Sequence, residues 1–333
     1  MRSASYLLLL CFLVTIPLYA QSPCAVNLPV GLIAPDGSLL NGLTTKDITV
    51  ELHKKKLQIH QISYDTGTRR VLLILDTSQR LPAEVRKTEV ALARHILSRS
   101  RPSDTFALLT ARGAARQVRF AQGNNAVIKA VEELAADPKE DKKAGSLLDA
   151  LMEGAGWFGT PQTGDAILVM SDYLQHDTEG EGFQSGFATN TGPYYEDSRY
   201  NFRTVAETIA RDRIRVFSVQ FGAMSVDPAT YEPSDENLLG LSLGSGGSLL
   251  ESPMRWYGGY KVTPAALEGL EHQVYQLYGS IAQFYLLNVD APMPLHRQQW
   301  KLELARDLRK NTRALYPRWF DPCGTEENAR AGQ

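Results

Sequence analysis

Three long apolar runs constrain the fold of this sequence more than any other feature. They cover residues 69–76, 165–172 and 214–222, and each gives way to polar or small residues at its end. A strand that is buried on both faces of a parallel sheet has this continuous apolar character, whereas a strand with one wet face alternates polar and apolar residues. The runs therefore predict strands in the interior of a parallel sheet.

Helical patterns separate these runs. Apolar residues recur with helical spacing in residues 82–98, 124–135, 146–158, 202–211 and 264–282. Two further strands are predicted over residues 105–112 and 116–121. Such alternation of strand and helix predicts an α/β fold with a Rossmann-like, doubly wound and mostly parallel sheet.

Short strands without helices flank the α/β region on both sides. Residues 26–64 show apolar alternation broken by turns, and further strand patterns follow over residues 284–289, 300–304 and 312–316. We expect the strands from the two sides to meet in one small β module. The predicted divisions are a signal peptide (1–20), an N-terminal β segment (21–67), the α/β domain (68–289), a C-terminal β segment (290–320) and a disordered tail (321–333).

The first twenty residues have the pattern of a secretory signal peptide. Arg2 supplies a basic start, residues 6–18 are almost wholly apolar, and the small residue Ala20 stands where cleavage is expected. The apolar run is shorter than the roughly 20 residues that a spanning helix needs. We therefore expect an exported protein, periplasmic or extracellular, without membrane insertion after cleavage.

Two cysteines remain after such cleavage, Cys24 and Cys323. In an oxidising compartment they could form one disulfide that ties the two ends of the mature chain together. The alternative is two unpaired thiols near the ends of the chain.

Charge and motifs argue against two classes of ligand. The formal net charge of −2 gives no electrostatic case for binding nucleic acid or anionic membranes. No phosphate-binding glycine loop follows the first buried strand in the sequence, which argues against a nucleotide.

Oxygen-bearing side chains collect at the predicted carboxyl ends of the strands, where open parallel sheets bind their ligands. They are Asp76, Ser78, Ser146 and Asp172. Carboxylates and hydroxyls without histidine or cysteine suit a hard cation such as Mg²⁺.

Motifs along the chain resemble those of von Willebrand factor A-like domains. DTSQR at 76–80 resembles the D-x-S-x-S motif of the metal-ion-dependent adhesion site, and Ser146 and Asp172 lie in segments that resemble its other two motifs. The remaining resemblances are to a secreted, acidobacterial-type VWFA-related family. They lie in GLTTKDITV (42–50), GSGGSLL (244–250), QLYGSIAQFYLL (276–287) and TRALYPRWF (312–320).

The resemblance implies a metal site with a partner at its open position. Ser78 and Ser146 would bind Mg²⁺ or Mn²⁺ directly, Asp76 and Asp172 would act through water, and a carboxylate of a partner protein would complete the coordination. Arg80 departs from the family pattern, because it replaces a serine that binds the cation.

The guanidinium of Arg80 leads to two interpretations. It would oppose a divalent cation beside two carboxylates and could neutralise them itself. Either the metal site is intact, or an Asp76–Arg80–Asp172 ion cluster replaces it and presents Arg80 to an acidic partner.

Residues 180–200 are rich in glycine, threonine and asparagine and too long for an ordinary connection. Tyr194 and Tyr195 predict a binding loop, since tyrosine is favoured in recognition surfaces; the alternative is a flexible surface insertion. With Arg80 and Tyr173, they are our candidate partner-binding residues.

We therefore expect an exported, non-catalytic protein that binds a protein partner at the strand-end face. Two other functions compete with this one. GLSLG at 240–244 matches the G-x-S-x-G motif, so Ser242 could be the nucleophile of a hydrolase. A structural envelope component with a vestigial site is the other alternative.

Overall fold

The computed structural model describes residues 24–52, 54–77, 83–111, 116–136, 146–171, 199–221, 238–252, 262–291 and 298–320. The strands in these ranges are β1 (Cys24–Ile33), β2 (Ile48–Leu52), β3 (Lys55–Leu57), β4 (Ile59–Asp65), β5 (Arg70–Asp76), β6 (Thr105–Ala111), β7 (Gln117–Val118), β8 (Ala166–Ser171), β9 (Arg215–Gln220), β10 (Leu249–Glu251), β11 (Phe284–Ala291), β12 (Gln298–Leu304), β13 (Arg313–Leu315) and β14 (Trp319–Phe320). The α-helices are α1 (Ala83–Arg99), α2 (Asn124–Ala136), α3 (Leu147–Gly156), α4 (Phe202–Arg211), α5 (Leu238–Gly244), α6 (Pro264–Ala282) and α7 (Arg306–Arg309).

The central sheet has the strand order β10-β9-β8-β5-β6-β7. Its first five strands are parallel, and β7 is antiparallel to β6. The chain moves outward from β5 to β6 and β7 and then returns to place β8 on the other side of β5. The strand order thus reverses between β5 and β8, as in doubly wound folds, and the predicted fold class is confirmed.

The buried strands are apolar throughout because alternate residues enter two different cores. In β5, Leu73 belongs to the core under α1, α2 and α6. Its neighbours Leu72 and Ile74 belong to the core under α3, α4 and α5. Side chains of successive strand residues point to opposite faces, so a sheet covered by helices on both sides needs apolar residues at every position.

The strands outside this sheet form a β-sandwich. One sheet has the order β13-β1-β11-β4 and the other β14-β12-β2-β3, so each combines strands from before and after the α/β region. Leu28, Val50, Leu287 and Trp300 are buried in the single apolar cluster that joins the two sheets. The predicted β module is confirmed, and the α/β region is inserted into it between β4 and β11.

Two segments differ from their predicted form. The strand at 284–289, which was predicted to lie within the α/β domain, is β11, and it pairs with β1 and β4 of the sandwich. The strand predicted over 116–121 is only Gln117–Val118, and Phe120–Gln122 is a 3₁₀ turn. That turn forms because the Gln122 side chain accepts a hydrogen bond from the Arg119 N–H at 2.7 Å, while Phe120 packs on Phe158.

The predicted signal peptide and the predicted tail from 321 lie outside the described residues. Within the described ranges, no helix combines the length and the apolar character needed to cross a membrane.

Candidate functional site

Asp76 ends β5 at the point where the strand order reverses. Its side chain is completely buried, and its Oδ2 accepts a hydrogen bond of 2.7 Å from the hydroxyl of Ser171. Ser171 is the last residue of the neighbouring strand β8 and is equally buried. The carboxyl ends of the two central strands are therefore joined by a carboxylate–hydroxyl pair.

Ser146 caps the N-terminus of α3. Its backbone is extended (φ −62°, ψ 168°), and its Oγ accepts a hydrogen bond of 3.1 Å from the Asp149 N–H. This is the usual role of serine at the start of a helix, where the first N–H groups lack partners within the helix.

The packing of α3 brings Ser146 to the level of Asp76. Near its other end, Gly154 lies so close to Leu72 of β5 that an added Cβ would overlap the leucine side chain. Ser146 precedes Gly154 by eight residues, which is about 12 Å of helix. Asp76 follows Leu72 by four residues, which is about 13 Å of strand. Since α3 runs antiparallel to β5, both side chains lie at the same edge of the sheet.

Asp149 adds a second carboxylate beside this edge. It lies in the first turn of α3, where a negative charge is favourable, and its side chain is nearly buried. The Arg199 N–H donates to its Oδ1 at 3.2 Å, and the largely exposed Arg199 guanidinium lies 3.5 Å from the same oxygen.

Asp76 and Ser146 were predicted from the sequence as site residues, whereas Ser171 and Asp149 were not. The S-x-x-D spacing of Ser146 and Asp149 is a capping pattern that could have indicated the second carboxylate. Ser171 gave no such signal, because a serine at the end of a buried strand has no distinctive sequence pattern.

The chemistry of the described groups fits a hard cation in kind but not in number. Asp76, Ser146 and Ser171 offer carboxylate and hydroxyl oxygens, the ligands that Mg²⁺ and Mn²⁺ prefer. Within the described part of the chain, no cluster of three or more histidine, cysteine, aspartate or glutamate side chains could hold a metal ion. The described groups therefore supply only part of the predicted set of metal ligands.

Several predicted residues lie outside the described ranges. They are Ser78, Arg80, Asp172, Tyr173, Tyr194, Tyr195 and Cys323. Cys24 is the first residue of β1, and its backbone position is opposite Ala291. The Cys24–Cys323 disulfide stays a prediction.

Ser242 does not have the setting of a hydrolase nucleophile. It lies within helix α5, is completely buried, and its Oγ is 2.7 Å from the Oγ of Ser218. A nucleophile elbow holds its serine on an exposed turn between a strand and a helix. His272, which could act as the base, is on α6 and therefore on the opposite face of the sheet. The geometry around Ser242 supports a packing role.

Comparisons with known proteins give similarity in structure only. No protein-family model matches the chain, and no curated protein matches it. Proximal thread matrix protein 1 from the mussel byssus has 10% sequence identity and a TM-score of 0.43, with 69% of this chain and 50% of that chain covered. The present chain thus spans about half the length of the mussel protein, for which one structure has a zinc-occupied MIDAS motif.

Two bacterial structures give similar values. A von Willebrand factor type A protein from Catenulispora acidiphila has 10% identity and a TM-score of 0.41, covering 89% of this chain and 73% of that one. BatB from Bacteroides thetaiotaomicron has 14% identity and a TM-score of 0.37, covering 63% and 98%. The solved structures that resemble this chain thus include a protein of the von Willebrand factor A type.

Proposed function

We propose that this protein binds a protein partner through its strand-end face and does not catalyse a reaction. The strand-end face is the surface formed by the carboxyl ends of β5 and β8 and the N-terminus of α3. The observation that carries the proposal is the buried Asp76–Ser171 pair at the switch point, with the α3 cap at Ser146 on the same edge. Ligands of open α/β sheets bind at such a point.

The burial and the hydrogen bonds of the serine hydroxyl groups favour binding over catalysis. A nucleophile must meet its substrate, yet Ser171 is completely buried and its proton is directed at Asp76. Ser146 uses its oxygen to cap α3. Both hydroxyl groups thus have a structural task, and neither is set beside a base on an open surface.

A divalent cation would extend this face. Ser78 and Asp172 would complete the oxygen set begun by Asp76 and Ser146, and a bound Mg²⁺ or Mn²⁺ would supply an open coordination position for a carboxylate of the partner. The competing arrangement has the Arg80 guanidinium neutralise Asp76 and Asp172. In that case the partner's acidic group pairs with Arg80 directly.

The proposal includes export. The N-terminal pattern of Arg2, the apolar run and Ala20 supports secretion, so the partner would be met in the periplasm or outside the cell. Tyr173, Tyr194 and Tyr195 would contribute aromatic contacts around the face.

Calorimetric titration with Mg²⁺ and Mn²⁺ distinguishes the two arrangements. The chelator-treated parent protein and Arg80→Ser are titrated side by side. Saturable binding to the parent supports the metal site, whereas binding to the variant alone means that Arg80 takes the place of the cation. If neither binds, a cation has no part in the proposed function.

Partner binding is tested by charge reversal at two arginines. Arg80→Glu changes a residue three positions before α1 in the sequence, and Arg99→Glu changes an exposed arginine in the last turn of α1, about 24 Å from the first residue of that 17-residue helix. Proteins from the periplasmic and secreted fractions are captured on the immobilised protein and compared by quantitative mass spectrometry. We expect a specific partner to be lost with Arg80→Glu and kept with Arg99→Glu; equal capture by both variants would contradict the proposed face.

A further inference from the structure

The edge strands of the three sheets differ greatly in length. In the described part of the chain, the outermost strands are β10 and β7 in the central sheet, and β13, β4, β14 and β3 in the sandwich, where β13 pairs with only three residues of β1 and β14 with only two of β12. Five of these strands contain two or three residues, whereas β4 contains seven. Proteins often keep their edge strands short, which limits pairing with other chains. At seven residues, β4 is long enough to pair with a strand of another chain.

The sequence of β4 also lacks the lysines and prolines that protect many edge strands. The neighbouring edge strand β3 (Lys55–Leu57) carries two exposed lysines, which oppose the approach of another strand. In β4 the sequence IHQISYD contains neither lysine nor proline. A register shift beside Asn288 disturbs only the start of the strand, and Gln61 to Asp65 pair regularly with β11.

The inner face of this edge leaves apolar surface uncovered. Ile62 is opposite Leu287 and Tyr64 is opposite Tyr285, so both project toward the sandwich core. Ile62 is nevertheless only half-buried, and Tyr64 remains 39% exposed. An added strand would cover both side chains and would pair free backbone groups of the edge, although the Asp65 carbonyl already accepts a hydrogen bond of 3.0 Å from Arg69.

We propose that β4 is a dimerisation edge that pairs with β4 of a second copy of this chain. The two strands run antiparallel about a twofold axis at Ser63. The sheet that contains β4 in one copy then continues into the same sheet of the other copy. Symmetry then places Gln61 opposite Asp65 of the second copy, and Ile62 opposite Tyr64.

This self-pairing brings no like charges together and joins an apolar side chain of each copy to an aromatic one of the other. Asp65 meets a neutral amide, and no like charges face each other within the paired segment. The aliphatic–aromatic pair formed by Ile62 and Tyr64 is among the favourable cross-strand combinations, and it occurs twice because of the symmetry. A closed, twofold contact is also the commonest way in which identical chains associate.

Substitutions at Ser63 test the pairing because the twofold axis passes beside this residue. Ser63 is exposed on the outer face, so a charged side chain there leaves the fold intact. Ser63→Lys would place two ammonium groups opposite each other, and like charges in contact weaken association roughly tenfold or more. Asn27→Lys is the matched control, because Asn27 is exposed on the outer face of the same sheet but lies in β1, two strands away from β4.

Sedimentation velocity over a range of concentrations measures the result. We expect a dimer for the parent protein and for Asn27→Lys, and a monomer for Ser63→Lys at the same concentration. Ser63→Glu should also be monomeric alone, and an equimolar mixture with Ser63→Lys should restore the dimer as a heterodimer. A monomeric parent at all concentrations, a dimeric Ser63→Lys, or a mixture that stays monomeric would overturn the proposal.

Discussion

Tyr278 connects helix α6 to the segment that enters the central sheet. Its hydroxyl donates a hydrogen bond to the buried carboxylate of Asp104 and accepts one of 3.1 Å from the Arg101 N–H. The Arg101 guanidinium in turn donates to the carbonyl oxygens of Thr66 and Gly67, which link β4 to β5. Burial, followed by the bond to Asp104, raises the pKa of Tyr278 to about 12.

This pKa gives the protein a specific loss of stability in alkali. The pKa in the folded state lies above the ordinary value of 10.0, so between these values the unfolded chain has lost more of its phenolic proton than the folded chain. The stabilisation from Tyr278 is therefore present below pH 10 and is lost as the pH rises through about 12. We expect the free energy of unfolding of the parent to fall more steeply over this interval than that of Tyr278→Phe.

Urea denaturation at a series of pH values checks this expectation. At neutral pH, Tyr278→Phe should cost about 1.5–3 kcal/mol, because it removes a hydrogen bond to a charged group. Tyr275→Phe is the control, since Tyr275 is 39% exposed on the same helix, and it should keep the slope of the parent. Equal slopes for the parent and Tyr278→Phe would contradict the assignment.

Among single residues, those that end or follow an apolar run were predictable from the sequence. Those whose role arises only when distant elements pack together were not. Asp76 stood out because a carboxylate directly follows a buried strand, and Ser146 because it precedes a helical pattern. Ser171 became part of the site only when β8 was placed beside β5, which required the strand order. The pairing of Tyr278 with Asp104 spans 174 residues and likewise has no local signal.

Among the structural elements, the segment between α5 and β10 requires two glycines for its backbone conformation and its close packing. Gly246 has a positive φ of 83°, which side-chain-bearing residues rarely adopt. Gly247 lies so close to β9 that an added Cβ would overlap the carbonyl oxygen of Val216. The Ser245 Oγ accepts a hydrogen bond of 2.8 Å from the Val216 N–H, so the segment is held tightly against the strand.

Gly247→Ala should therefore disrupt the packing of this segment on β9. We expect a loss of about 3 kcal/mol or more in the free energy of unfolding, because backbone has to move in a close-packed core. Gly269→Ala in α6 is the control, since no atom lies within 4 Å of an added Cβ there. That substitution should stabilise the protein by about 0.5–1 kcal/mol.

Urea denaturation of the three proteins measures both effects. A fully stable Gly247→Ala protein would mean that the close approach to Val216 is not required. Backbone conformation at Gly246 and close packing at Gly247 thus account for the two glycines within GSGGSLL.

Element bounds were predictable where one periodicity extended over the whole segment. The bounds of α4 and α6 agree with the predicted ranges, since an apolar stripe and a capping residue mark each helix. The prediction was wrong after β7, where the bond between Gln122 and Arg119 turns the chain. An isolated side-chain cap of this kind leaves the apolar pattern unchanged, so periodicity could not reveal it.

For the whole molecule, the decisive feature is that the α/β region is inserted into the sandwich and joined to it twice. One connection leads from β4 to β5, and the other from α6 to β11 through Gln283. Phe284 stands at this junction, with the guanidinium of Arg69 4.3 Å and that of Arg215 4.0 Å from its ring centroid. Both guanidinium groups are therefore within cation–π distance of the same ring.

Both arginines are buried beside this ring, and Arg69 also forms an ion pair of 3.2 Å with Asp65. Each is 2% exposed. Burial, then the charge of Arg69, lowers the pKa of Arg215 to about 9. Arg215 donates to the last-turn carbonyl oxygens of Ser280 and Ile281 in α6, where the helix end favours a positive charge. The α/β region supplies these cations and the sandwich supplies the aromatic face that stabilises them.

Phe284→Ala should therefore weaken the coupling between the two parts as well as the stability of the whole. We expect a loss of about 3–5 kcal/mol, from the cavity and from the lost aromatic contact of two buried guanidinium groups. Trp157 reports on the α/β region and Trp300 on the sandwich, each measured in a background where the other tryptophans are phenylalanine. In the parent the two probes should show one urea midpoint, and in Phe284→Ala two separate midpoints.

Phe284→Leu separates packing from the cation–π contacts, because leucine keeps most of the apolar volume but has no aromatic face. If the ring matters as a partner of the two cations, this variant should also show separate midpoints for Trp157 and Trp300, with a smaller total loss than Phe284→Ala. If Phe284→Leu unfolds in one transition like the parent, apolar volume alone couples the two parts. Coincident midpoints in Phe284→Ala would show instead that the two chain connections suffice, and that the junction of Arg69, Phe284 and Arg215 is not what makes the inserted region and the sandwich unfold together.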